Sequence, residues 1–191
     1  MKKNLLAGIF VISALFTVAN AQKQIELDGI KIPRTITIQN STLQLNGAGS
    51  RSKMWVDVYI QALYLSQLSQ DPNEILDSDT AMSIRIQVTS ALVSSGKLTR
   101  AMNTGFEKSS GEALTSLKPK IELFKSMLTD EITERDVFNL FYNPNDTSIW
   151  VFKNDQLKGK IPGFEFKKAL FGIWISDKPV DEELKKNLLG Q

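Results

Sequence analysis

Arg51 closes the run Asn46-Gly47-Ala48-Gly49-Ser50-Arg51, and Tyr59 follows it in a long alternating stretch from Lys53 to Leu65. A guanidinium stays charged at any working pH and offers a planar fork of donors that matches a carboxylate. A phenol can donate one further hydrogen bond to the same anion. In the alternation, Met54, Val56, Val58, Ile60, Ala62 and Tyr64 share one side. Trp55, Asp57, Tyr59, Gln61 and Leu63 share the other, with Arg51 at the same parity. The first side is apolar and suits a core. The second mixes charge, ring and amide, and suits the wall of a pocket. The two glycines let the backbone turn sharply and approach another group closely just before the arginine. Each residue also has a plainer reading. Arg51 could be a surface arginine or pair with an internal acid such as Asp57, and Tyr59 could be a packed ring with a wet tip. Tyr64, at the opposite parity, reads as core.

Composition narrows the chemistry further. The 191 residues include no histidine and no cysteine. That excludes disulfides, thiolate nucleophiles, a lipidated cysteine, histidine-based catalysis and the common zinc sites. Neither a metal nor a cofactor is expected. Arg, Lys, Tyr, Ser, Thr and the carboxylates remain. Met1-Lys2-Lys3, the uncharged run Leu5 to Val18 and Ala19-Asn20-Ala21 read as a secretory signal peptide, cleaved after Ala21. The apolar run falls short of the ~20 residues that span a bilayer. Without Lys2 and Lys3 the 23 basic residues become 21, against 21 acids, so net charge is about zero. No basic excess points to nucleic acid or an anionic membrane. The expectation is one domain over residues 22–191, periplasmic or secreted, with no integral membrane anchor after cleavage.

The elements that must hold Arg51 and Tyr59 follow from periodicity. Gln24–Leu27 and Thr35–Ile38 read as short strands separated by Asp28-Gly29 and Pro33, and Thr42–Leu45 leads into the glycine turn. Asp71-Pro72-Asn73 marks a turn before one helical turn at Glu74–Leu76. Met82–Val88 alternates as a strand with one wet face. Leu98, Met102 and Phe106 give an amphipathic helix over Ser95–Lys108, interrupted at Gly111. Leu114 to Leu128 resumes helical spacing, with Pro119 as a kink or in a first turn. Asp136–Tyr142, Ser148–Lys153 and Leu157–Ile161 read as strands, and Phe164–Ile175 as an apolar helix carrying Phe166, Leu170, Ile173 and Trp174 on one side. Asp181-Glu182-Glu183 open a last helix whose buried face is Leu184, Leu188 and Leu189, stopped by Gly190. Lys178, Asp181, Glu182 and Lys185 read as a solvated face. This order argues α+β with an antiparallel sheet.

The run Asn46 to Arg51, with Val58-Tyr59 and Ala62-Leu63-Tyr64-Leu65, resembles the first half of the chalcone isomerase-like family. Leu170-Phe171-Gly172-Ile173-Trp174-Ile175-Ser176-Asp177-Lys178-Pro179-Val180-Asp181 resembles the closing motif of its bacterial members. Together they enclose residues 46–190. The resemblance implies an open-faced β-sandwich, a large antiparallel sheet covered on one side by helices, with a ligand cleft between the layers. The family includes plant enzymes that close chalcones, non-catalytic relatives that bind fatty acids, and exported bacterial members.

By that resemblance Arg51 falls on the arginine that meets a ligand's anionic end, and Tyr59 falls near a strand hydroxyl that is threonine in the plant enzymes. The plant isomerases also carry an essential tyrosine in the helical region, whereas Ala91 to Asp136 here contains none. Ser109, Ser110 and Lys118 are the polar residues that could stand in. A fatty acid asks less: about a dozen buried methylenes at ~0.8 kcal/mol each supply roughly 10 kcal/mol before ordering costs. Trp55, Leu63, Leu98, Met102, Phe106 and Phe124 are candidates to line its path, though a helical stripe of this kind is more often plain core. The leading expectation is a non-catalytic carrier of a fatty acid or similar amphipathic anion, with Arg51 and Tyr59 at the head group and no catalytic residue. The alternatives are a chalcone isomerase-like lyase acting on an enone or phenolic compound, with Arg51 stabilising an oxyanion, and a partner-binding protein with a vestigial cleft.

Overall fold

The computed structural model describes residues 23–53 and 56–191, with the side chains of residues 53, 56 and 57 left aside. The proposed leader and Trp55 lie outside the described residues. Strands β1 (Gln24–Leu27) and β2 (Ile30–Pro33) form a separate antiparallel hairpin. Seven more strands make one antiparallel sheet in sequence order: β3 (Thr35–Ile38), β4 (Ser41–Lys53), β5 (Val56–Leu65), β6 (Met82–Val88), β7 (Val137–Asn143), β8 (Ser148–Lys153) and β9 (Gln156–Pro162). The helices are α1 (Pro72–Asp77), α2 (Ser95–Ser109), α3 (Leu114–Ser126), α4 (Phe164–Ile175) and α5 (Glu182–Leu188). The sheet curls, and these helices pack on one side of it, the architecture expected from the sequence.

Strand alternation divides the apolar residues between two cores. Leu63, Leu65, Met82, Ile84, Ile86, Phe138 and Leu140 face the helices, where they meet Phe106, Phe124, Phe166 and Trp174. The rings of Phe106, Phe124 and Phe166 fill that space, with centroids 5.6–6.0 Å apart. On the opposite face Ile60, Ala62, Tyr64 and Phe141 form a smaller core with Ile32 and Leu43, against which Ile25, Leu27 and Ile30 pack. Tyr64 is therefore core, and its Oη donates to the Pro33 carbonyl at 2.8 Å.

The glycine run is not a turn. β4 passes straight through it, and the expected strand from Lys53 to Leu65 is instead split between the end of β4 and β5. The glycines serve close approach instead. A Cβ on Gly47 would stand 2.1 Å from the Asn187 carbonyl oxygen, and one on Gly49 2.8 Å from the Asn187 Cβ. Helix α5 thus lies directly on β4. A bulge at Asn46 shifts the register between Leu45 and Gly47. Its Nδ2 donates to the Leu188 carbonyl at 3.0 Å, and its Oδ1 accepts from the Ser69 N–H at 3.0 Å. Such a bulge moves side chains between faces, so Gly47, Gly49 and Arg51 look toward the helices.

Three other expectations need correction. β2 is a strand that the short interval between Gly29 and Pro33 concealed. Pro119 lies well inside α3 and not in its first turn. The outer face of β6 is only partly wet, since Ser83 is buried while Arg85 and Gln87 are half-buried.

Candidate ligand site

Arg51 and Tyr59 are direct cross-strand partners on β4 and β5, on the face that turns toward α4 and α5. The carboxylate on Arg51 is Asp181, whose Oδ2 accepts from its Nη1. Asp57, the acid considered from sequence, has its side chain outside the described residues. Asp181 also caps α5, its Oδ1 accepting from the Leu184 N–H at 2.9 Å. The reading of Asp181 as part of a solvated face is therefore wrong. Its partner stands 130 residues upstream, where helix periodicity cannot show it. The pair is partly open, at 28% exposure for Arg51 and 22% for Asp181.

Tyr59 is half-buried as a residue, but its hydroxyl is deeply enclosed. Burial raises its pKa above the usual 10.0, and nearby Trp174 and Arg51 draw it back only in part. The phenol is a hydrogen-bond donor throughout the neutral range. The Trp174 indole N–H is close enough to Tyr59 to lower that pKa, yet it reaches no standard hydrogen-bond geometry among the described residues. Gln61, the next residue on this face of β5, is fully buried, and neither of its amide atoms is bonded there. Guanidinium, phenol and indole thus meet where α4 and α5 close over β4 and β5, and the Gln61 amide lies one position further along the same face of β5.

Other expected residues fall elsewhere. Leu63, Leu98, Met102, Phe106 and Phe124 are buried in the larger core. Ser109 and Ser110 line a separate cavity of about 200 Å³ with Ala169, Gly172 and Ser176. The Ser109 hydroxyl is already committed to the Ala169 carbonyl at 2.7 Å. Lys118 is exposed. A groove of about 330 Å³ runs beside Ser50, Ser52, Asp181 and Glu183, bounded by Asp28 of the β1–β2 hairpin. Among the described residues no acidic cluster could hold a metal, and no helix is long and apolar enough to cross a membrane.

Sequence reading also missed Lys167 at the other end of α4. It is fully buried, and its ammonium donates to the carbonyls of Ile75, Leu76 and Ser78 at 2.7–2.9 Å. It lies 5.0 Å from the Phe164 ring centroid. A lysine inside the otherwise apolar run Phe164–Ile175 was the available signal.

The family model described as chalcone isomerase-like matches residues 23–190. Among solved structures, a fatty-acid binding protein of Arabidopsis thaliana superposes with a TM-score of 0.70 at 15% identity, covering 84% of this chain and 92% of that one. At that identity the likeness speaks for the fold. No curated protein sequence matches the chain.

Proposed function

The chain belongs to the chalcone isomerase-like family, and from that premise we propose that it binds a fatty acid or similar amphipathic anion without transforming it. Arg51 receives the anionic head, and Tyr59 donates a second hydrogen bond. The observation that carries this reading is the pairing of Arg51 with the enclosed phenol on one strand rung, facing the helices. The Arabidopsis thaliana fatty-acid binding protein adds support from the same fold. Asp181 occupies the guanidinium, so a ligand carboxylate takes its place by exchange of one anion for another. The apolar tail must then part the packed rings of Phe106, Phe124 and Phe166. The proposal includes export through the leader at residues 1–21, to the periplasm or beyond.

Native mass spectrometry of the purified protein tests the reading. A lipid anion should co-purify and be lost in Arg51→Ala. Protein with no ligand, and no uptake of any fatty acid offered, would overturn it. One observation favours an alternative: a phenol kept protonated beside a guanidinium also suits a lyase-type isomerase with Arg51 stabilising an oxyanion. Turnover of chalcone-type substrates, abolished by Arg51→Ala, would replace the binding reading.

A further inference from the structure

An anion clamp accounts for Arg51 and Tyr59 but not for their neighbours. Gln61 is wholly buried with both amide atoms unpaired, and Trp174 is 1% exposed with its Nε1 unpaired, among the described residues. Buried polar groups are almost always hydrogen-bonded, and each exception needs a cause. The next residues on this face of β5, Leu63 and Leu65, are leucines in the same core. Leucine at position 61 would fill similar space with no polar atom to leave unpaired. Gln61 stands opposite Gly49, which has no side chain to answer it.

We infer that Gln61 and Trp174 form a neutral subsite for a hydroxyl or keto oxygen carried near the head of the bound anion. The ligand class is then an oxygenated amphipathic carboxylate and not a plain fatty acid. This rests on the proposed anion binding at Arg51. A primary amide both donates and accepts, which is what a hydroxyl requires, while an indole only donates and suits either oxygen. Successive residues on one strand face are ~6.6 Å apart, which places that oxygen within the first few carbons of the chain. An unsubstituted tail would leave the amide and the indole buried and unpaired, and sites built this way discriminate strongly against ligands lacking the matching group.

The test compares palmitate with its β-hydroxy, δ-hydroxy and β-oxo counterparts by calorimetric titration. Wild type should bind at least one oxygenated acid roughly tenfold or more tighter than palmitate. Gln61→Leu should bring that ratio close to unity while melting at the same or a higher temperature, because it removes an unpaired buried amide. Gln61→Met, closer in shape, is the second variant should leucine pack badly. Ser83→Ala removes a hydroxyl, unpaired among the described residues, from the other face of the sheet and should leave the ratio unchanged. Equal affinity for palmitate and every oxygenated acid in wild type overturns the inference while leaving anion binding intact. A ratio that survives both Gln61 variants overturns it as well. Failure of all four acids to bind wild type overturns the anion-binding reading, and this inference with it.

Discussion

Lys167 and Arg51 are both set against the interior of this chain, and they are answered in different ways. Lys167 is fully buried and meets three backbone carbonyls at the end of α1, one for each N–H of an ammonium. The end of a helix is also where a cation is favoured. Arg51 is partly open, and it is answered by side chains, the carboxylate of Asp181 with the Tyr59 phenol beside it. On the same face, Gln61 and Trp174 carry buried polar atoms that reach no standard hydrogen bond among the described residues. A cation whose donors are all taken by fixed backbone has no capacity for a ligand. One answered by an exchangeable side chain, among unpaired groups, has the makings of a site. Lys167 therefore belongs to folding, and Arg51 is the cation that we propose for binding.

The contrast is sharpest in folding stability, where removing the saturated cation should do the most damage. Lys167→Met strands three carbonyls in the interior and should lower stability by ~3 kcal/mol, a fall of roughly 10 °C in Tm. A loss near zero in thermal unfolding would end the structural reading of Lys167. Next comes the platform that brings α5 onto β4. Gly47→Ala drives a methyl into the Asn187 and Leu188 carbonyls and should cost ~2 kcal/mol. Faster amide exchange should appear in α5 and not in α1. An unchanged α5 would mean that β4 and α5 are less tightly joined than their close contact implies.

That platform also marks what a sequence can disclose. β3, β8 and α4 could be bounded from the chain alone, because their periodicity and their Asn-Asp, Pro and Gly stops are local. Arg51 and Tyr59 do share a face, but as partners on two strands with a register shift beside them and not by alternation along one. The glycine run was misread as a turn, because glycine in a strand declares a close approach without naming the partner. That partner is the last helix, on which both family motifs meet: Asn46 bonds to its end, and Arg51 to its cap. Asp181 looked solvated and Lys167 went unnoticed because their partners lie on other elements. Pairing across such distances is decided by packing, which periodicity does not carry.

A smaller effect is expected from pH. Burial holds the Lys167 pKa at about 8, below the 10.5 of the free side chain, with Asp77 and Asp79 drawing it part of the way back. Between those values the unfolded chain binds more protons than the folded one, so stability rises as pH climbs through this window. The three carbonyl bonds favour the ammonium, which should limit the gain to about 1–2 kcal/mol. Above pH 10 the trend reverses, because burial raises Tyr64 to about 12 and that tyrosine's contribution is lost as pH rises toward this value. Denaturant titrations from pH 7.5 to 10, as roughly spaced steps within the window, should show a rise in wild type and a flat line in Lys167→Met. Parallel curves would assign the slope to another group.

The smallest change in stability belongs to the Arg51–Asp181 pair, and there the two cations part most clearly. Partly exposed ion pairs contribute ~0.5 kcal/mol, so Arg51→Ala and Asp181→Asn should each unfold close to wild type. Asn at position 181 can still cap α5, which keeps the helix out of the comparison. Ligand binding should separate them. Arg51→Ala removes the proposed head-group partner and should weaken a fatty acid at least tenfold. Asp181→Asn removes the competing internal anion and should tighten it, by a fewfold for a contribution of this size. The double variant should bind as weakly as Arg51→Ala, since releasing Asp181 helps only when the guanidinium is there to be released. If both single variants instead lose stability together and leave binding untouched, Arg51 is a structural cation like Lys167, and the head of the ligand lies elsewhere.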